Sequence, residues 1–196
     1  RTVNKYALRS AAAIFANGFY LTQKAQQQIP GANIQSLLIG IEMERFELSS
    51  APDSPIQFIC TRAFENIYDN RTIIDAISLF PVEYPDFRMI FVSNGTTLEE
   101  CIARADAKLR PDLRERVQFL RGVAYDDLIA ALRSSHIFIS MSLSDGTATT
   151  LLEALATGLY PIVTDIPQNH GLFCDGPIHG IFVPPRDSKC LKDSML

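Results

Sequence analysis

From about residue 56 onward the chain alternates short apolar runs with helix-forming stretches, and this rhythm constrains its fold more than any other feature. Ile56–Thr61, Arg88–Val92, Val117–Leu120, His136–Ile139, Tyr160–Thr164 and Gly180–Val183 are β-branched and aromatic runs of strand length. Helical patterns separate them at Thr72–Leu79, Thr97–Leu109 and Asp126–Arg133, and again where Leu151, Leu152, Leu155 and Ala156 share one face. Strands that are apolar on both faces and joined by helices belong to βαβ units. The pattern therefore predicts an α/β fold with a doubly wound, mostly parallel, Rossmann-like sheet.

The first 48 residues follow a looser pattern. A helix is expected from about Val3 to Ser10, a short strand over Ala12–Ala16, a helix over Tyr20–Gln28 ended by Pro30-Gly31, and a strand over Ile34–Ile39 before a turn at Gly40. Ser49 to Pro55 reads as a linker, because prolines and small polar residues build no packed element there. It divides the chain into residues 1–48 and 49–196. The chain starts at Arg1 without a methionine and stops shortly after Asp187-Ser188 offers a helix N-cap, so it is read as an excised piece. An exposed apolar patch is then expected where further segments would pack.

Composition excludes several classes. A net charge of −4 speaks against a broad nucleic-acid surface. No run is apolar enough to span a bilayer, and no signal-peptide pattern opens the chain, so a cytoplasmic setting, membrane-peripheral at most, is expected. Cys60, Cys101, Cys174 and Cys190 lie far apart and read as reduced thiols. His136, His170 and His179 lack metal-ligand spacing. The sequons at Asn70 and Asn94 are read as chance matches.

In a parallel sheet, ligands bind beyond the carboxyl ends of the strands. The residues that follow the predicted strands are Thr61-Arg62, Ser93-Asn94-Gly95, Gly122, Asp145-Gly146-Thr147 and Asp165. The stretch from Ser140 to Gly158 runs from a strand through a small polar turn into a helix, and a helix start of this kind suits a phosphate. Arg62 fits either a surface ion pair or a diphosphate clamp. Glu153 fits either a ligand role or a capping box with Thr150 at the N-cap, and Asp145 could be a turn former beside Gly146. No G-x-G-x-x-G follows a strand, and G-x-x-x-x-G-K-[ST], G-x-S-x-G and Asp-x-Asp are all absent.

Ser144-Asp145-Gly-Thr-Ala-Thr-Thr-Leu-Leu-Glu153-Ala-Leu-Ala-Thr-Gly158-Leu-Tyr-Pro161-Ile-Val resembles the signature of the retaining glycosyltransferases of family 4, also called group 1, which have the GT-B fold. That signature sets an acidic residue, seven residues and a glutamate before Ala-Met-Ala-x-Gly-x-Pro-Val-Val. Ile39 to Phe46, Val117 to Val123 and Asp175 to Asp187 are similar to three further segments of the family in the same order.

The resemblance implies that residues 49–196 are the donor-binding C-terminal domain of a GT-B enzyme, truncated at its C-terminal helices, and that residues 1–48 are the end of the acceptor domain plus the hinge. The donor would be a nucleoside diphosphate sugar, with no metal required. The acceptor, a glycan, lipid or small molecule, would bind through the missing N-terminal part. Arg62 would clamp the diphosphate and Asp145 would hold donor-sugar hydroxyls. Gly146 and Thr147 would cradle phosphate or sugar, Glu153 would bind the ribose and Val123 would lie by the base. Leu151, Asn94 and Gly95 complete the implied donor site. Two departures stand out: Thr61 replaces a glycine before Arg62, and the diphosphate-binding lysine of the family falls on Ile67 or Tyr68, with Arg71 as a candidate substitute. A non-catalytic nucleotide or sugar-phosphate binding module and a GT-B-fold sugar-nucleotide epimerase remain open. On this reading the fragment binds donor but does not transfer sugar alone.

Overall fold

The structure, a computed structural model, describes residues 2–48, 50–51, 53, 55–173 and 180–196. The expectations placed on Ser49, Pro52, Ser54, Cys174, Asp175, Gly176 and His179 lie outside the described residues. The chain opens with α1 (Thr2–Ser10), β1 (Ile14–Ala16), α2 (Phe19–Gln28) and β2 (Ile34–Ser36), then a single 3-10 turn at Met43–Arg45. The alternating part runs β3 (Ile56–Cys60), α3 (Asn70–Ser78), β4 (Phe87–Val92), α4 (Leu98–Lys108), α5 (Pro111–Arg114), β5 (Val117–Leu120) and α6 (Tyr125–Arg133). It continues with β6 (Ile137–Ser140), α7 (Thr149–Ala156), β7 (Tyr160–Thr164), α8 (Pro167–Phe173), β8 (Ile181–Val183) and α9 (Ser188–Met195).

The six strands from β3 onward form one parallel sheet in the order β5-β4-β3-β6-β7-β8. The chain steps outward from β3 through β4 to β5, then returns to lay β6 on the other side of β3 and steps outward again. The strand order thus reverses between β3 and β6, and the crevice at their carboxyl ends is the topological switch point where such sheets bind ligands.

Strand side chains alternate between two cores. Phe58 and Cys60 of β3 join Met89, Phe91 and Ile139 in a cluster covered by α3, α4 and α9, while Ile59 joins Ile90, Phe138 and Val163 under α6 and α7. Burial on both faces explains why the strands read as continuous apolar runs rather than as alternating ones.

Four elements differ from the sequence expectation. The second strand stops at Ser36 rather than Ile39, because β1, its partner among the described residues, is three residues long; the Leu37 N–H still donates to the Ala16 carbonyl, and Leu37, Leu38 and Ile39 are half exposed. The helices α5 and α8 were not expected, and each begins at a proline, whose fixed φ suits a first helical turn. The closing helix α9 is a full two turns, with the Asp187 carboxylate accepting from the N–H groups of Lys189 and Cys190, and it buries Leu191 against α3. Of the described cysteines, Cys60 and Cys101 are buried, Cys190 is partly so, and all three are unbridged.

Apolar exposure concentrates near the start of the chain: Tyr6, Phe15, Phe19, Leu38 and Met43 are among the large hydrophobic residues left open to solvent there. Among the described residues no helix is long and apolar enough to cross a membrane.

Candidate functional site

Arg62 leaves the carboxyl end of β3 and Asp145 follows β6, so the switch point brings together two residues that lie 83 positions apart. Arg62 Nη2 donates to Asp145 Oδ2 at 2.5 Å, and Nη1 donates to Thr150 Oγ1 at 2.8 Å. The guanidinium lies 4.0 Å from the centre of the Tyr68 ring, a cation–π stack that fixes its plane. Arg62 is only 7% exposed, and its Nε is a buried donor with no partner among the described residues, as is the Thr61 hydroxyl beside it. A buried, unpaired donor costs about 1–3 kcal/mol, which an incoming acceptor would recover. The pair that Arg62 forms with Asp145 is thus largely buried rather than a solvated surface ion pair.

Asp145 also accepts from the N–H of Gly146 at 2.8 Å. Two bonds leave lone pairs on a carboxylate that can accept about four. The Gly146 N–H itself is thereby taken. Its missing Cβ serves a different purpose, since one would stand 2.9 Å from the carbonyl oxygen of Asn17. Asn17 Nδ2 donates to the carbonyl of Thr147 at 3.3 Å. The turn after β6 is therefore closed over by the loop after β1, and a small cavity of about 60 Å³ between them is lined by Gly18, Leu38, Gly146, Thr147 and Gln168.

The capping-box reading of Glu153 does not hold. The helix α7 begins two positions earlier than that reading requires, with Ala148 as N-cap and no side-chain cap, and the Thr150 hydroxyl is engaged by Arg62. Its N-terminus is thus left uncapped beside Arg62 and Asp145. Glu153 is 7% exposed and accepts from the Tyr125 hydroxyl at 2.8 Å through Oε1. Burial raises its carboxyl above the ordinary range, and the Tyr125 bond opposes that shift only in part.

Val123 and Asn94 line an open depression of about 360 Å³ that also takes in Thr61, Gly122 and Tyr125. Gly95 lies outside it and has a packing role: a Cβ there would meet the Phe64 carbonyl oxygen at 2.3 Å, so glycine lets the loops after β3 and β4 touch. Leu151 turns into the core at 1% exposure, and its N–H is donated to the Ala148 carbonyl. Arg71 is tied to Glu100 at 3.1 Å and to Asn66 at 2.7 Å on the surface of α3. Asp165 is paired with His170 at 2.6 Å, away from Arg62.

The roles of Tyr125, Thr150, Tyr68 and Asn17 were missed from sequence. Tyr125, Thr150 and Asn17 act through partners 28, 88 and 130 positions away, whereas Tyr68 stacks on Arg62 six positions before it and was hinted at only by the family pattern around residues 62–68. Among the described residues no group of three or more His, Cys, Asp or Glu side chains is placed to hold a metal ion.

Comparison with known proteins agrees with this fold. The chain is 26% identical over 112 residues to the gpi3 subunit of phosphatidylinositol N-acetylglucosaminyltransferase of Schizosaccharomyces pombe, covering 56% of this chain and 24% of that one. It is 27% identical over 101 residues to the GDP-mannose:cellobiosyl-diphosphopolyprenol alpha-mannosyltransferase of Xanthomonas oryzae, covering 50% of this chain and 26% of the relative. Among solved structures, Anabaena HepE in complex with UDP and glucose superimposes with a TM-score of 0.80 at 17% identity, covering 98% of this chain and 55% of that one. Sucrose-phosphate synthase from Thermosynechococcus elongatus gives 0.79 at 14% identity, covering 99% and 50%. The chain thus spans about a quarter of the curated relatives it matches and about half of the structural ones. Residues 41–196 match the family described as glycosyl transferases group 1, and with four fifths of its length in that match the chain belongs to this family.

Proposed function

We propose that the protein transfers a sugar from a nucleoside diphosphate sugar to an acceptor hydroxyl with retention of configuration, and that the switch-point crevice holds the donor. The observation that carries this reading is Arg62, buried at the strand end beside the uncapped N-terminus of α7, with an unpaired Nε. As the sugar–phosphate bond breaks, negative charge grows on the departing diphosphate. A preorganised guanidinium opposes that charge without reorganisation. The helix terminus adds about 0.3–2 kcal/mol, too little to carry the step alone. Asp145 keeps Arg62 aimed and has acceptor capacity left for sugar hydroxyls. Glu153 takes the ribose, and the depression by Val123 takes the base. The UDP and glucose complex of HepE, with its matching fold, supports the class of donor.

A cytoplasmic, membrane-peripheral setting belongs to the same proposal. So does the division into residues 1–48, which form the edge of an acceptor-side domain, and residues 49–196. Since the chain spans about half of its structural relatives, residues 1–196 alone are expected to bind donor and transfer little.

The test is Arg62→Ala in the full-length protein, with donor turnover as the readout. A loss of about 100-fold or more in kcat is expected, the scale of removing one charge-stabilising donor. Activity within threefold of the parent would show that Arg62 is not the clamp. The second reading, a binding module without turnover, is favoured by the family's lysine position falling on Ile67 or Tyr68, neither of which is a cation. Tight donor binding with no product in the full-length protein would select it.

A further inference from the structure

Glu153 is carried on the buried side of α7, yet its carboxylate meets only one side-chain donor among the described residues. That donor is the Tyr125 hydroxyl, 2.8 Å from Oε1. The other oxygen, Oε2, takes no protein hydrogen bond among the described residues. Tyr125 also lines the depression by Val123, so a single side chain touches both the carboxylate and the space beside it. The Tyr125 ring is 41% exposed and is held from outside by the Arg45 guanidinium, 4.5 Å from its centre. Arg45 is in turn anchored by Asp126, the next residue of α6, at 2.5 Å. Phe46, the neighbour of Arg45, is buried in the core under α6 and α7. The Tyr125 hydroxyl is therefore fixed by contacts that do not involve Glu153.

We propose that Tyr125 is a positioning residue that sets ribose specificity: its hydroxyl ties down one oxygen of Glu153 so that the other is presented to the vicinal hydroxyls of a ribonucleotide. This inference rests on the reading of Glu153 as the ribose ligand. A carboxylate free to turn could satisfy itself with water or with a neighbouring group. Fixed at Oε1, it has one outstanding need, and a ligand that supplies hydroxyls answers it. A 2′-deoxy ligand removes one of those hydroxyls and leaves a carboxylate that is only 7% exposed less fully bonded, and this asymmetry is the one by which hydrogen-bonding sites reject analogues lacking a polar group. The tyrosine never touches the reacting atoms, so its effect should appear in the ribose preference and not in the chemistry.

The experiment measures binding of UDP and GDP and of their 2′-deoxy counterparts by calorimetry to the full-length protein and to Tyr125→Phe and Glu153→Gln variants. Tyr125→Phe keeps the ring and its Arg45 stack, and its deoxynucleotide affinity reports whether the site has kept its shape. The parent is expected to prefer at least one ribonucleotide over its deoxy form by about tenfold or more, the value of a hydrogen bond to a charged group. Both variants should lose most of that preference. A preference kept by Tyr125→Phe but lost by Glu153→Gln overturns the role of Tyr125 and leaves the donor reading standing. Tighter ribonucleotide binding by Tyr125→Phe also overturns it, since the hydroxyl would then be a plug that ribose must displace. If the parent binds neither nucleotide, or shows no preference that Glu153→Gln alters, both this inference and the donor reading fall.

Discussion

Burial lifts the Glu153 carboxyl above the ordinary carboxylate range because α7 carries it inside with the Tyr125 hydroxyl as its only compensation. The native state then holds a proton more readily than the unfolded chain does, so the sign of its pH effect is opposite to that of a paired carboxylate. Ionised Glu153 subtracts stability at neutral pH, and the deficit is relieved as pH falls through the raised native pKa, vanishing below the unfolded value of about 4.3. Glu153→Gln, which still accepts from Tyr125, is expected to melt above the parent at neutral pH, with the difference closing toward pH 4. Melting curves across that range check this, and a variant less stable at pH 7 would show that the charge is welcome. The phenol of Tyr125, pushed up to about 12 chiefly by burial, stays a donor throughout. None of this pairing was visible in sequence. Thr150 and Glu153 have capping-box spacing, but the cap is decided by which residue ends the preceding turn, and Arg62, 88 positions upstream, claims the Thr150 hydroxyl.

At the scale of elements, sequence reading succeeded where periodicity and burial agree. The strands β5 and β7 match their expected bounds, and β3, β4, β6 and β8 fall within one or two residues of theirs, because two-sided burial demands a continuous apolar run. Short helices such as α5 leave too few positions for a pattern, so they were missed. The rim was legible as a set of strand ends, but not the work of each residue on it. Gly95 shows why: it was expected to meet a ligand, whereas it permits contact between two loops. Gly95→Ala should cost about 2–4 kcal/mol, since the colliding atoms belong to the Phe64 backbone and cannot swing away. Gly40 has nothing within 4 Å of an added Cβ, so Gly40→Ala should change stability by no more than about 0.5 kcal/mol. Denaturant titration of the two variants separates them, and equal stabilities would mean that the loops after β3 and β4 can part freely.

Across the whole molecule, burial is unevenly shared. The buried residues of both core clusters come from position 46 onward, whereas among the described residues of the first 48 only Thr22, Ile29, Ile34 and Phe46 are buried. The β1–β2 ribbon is separate from the six-stranded sheet and reaches it through the Asn17 side chain on the Thr147 carbonyl and the close approach of Asn17 to Gly146. A unit with so little apolar burial opens at lower free energy than the sheet beside it. Amides of β3, β4 and β6 are therefore expected to exchange with solvent only on global unfolding, and those of residues 14–36 through a cheaper opening. Gly146→Ala sharpens the test, because its Cβ would strike the Asn17 carbonyl and push the two units apart. It should lower protection in residues 14–36 and leave β3 and β6 unchanged, as hydrogen-exchange mass spectrometry can resolve. An equal fall everywhere would mean that the two units unfold as one. If the opening is local, the wall of the crevice made by Gly18 and Leu38 can part from the turn after β6 while Arg62 and Asp145 stay in register. Access to the small cavity between them would then be controlled by a motion that does not disturb the charged pair.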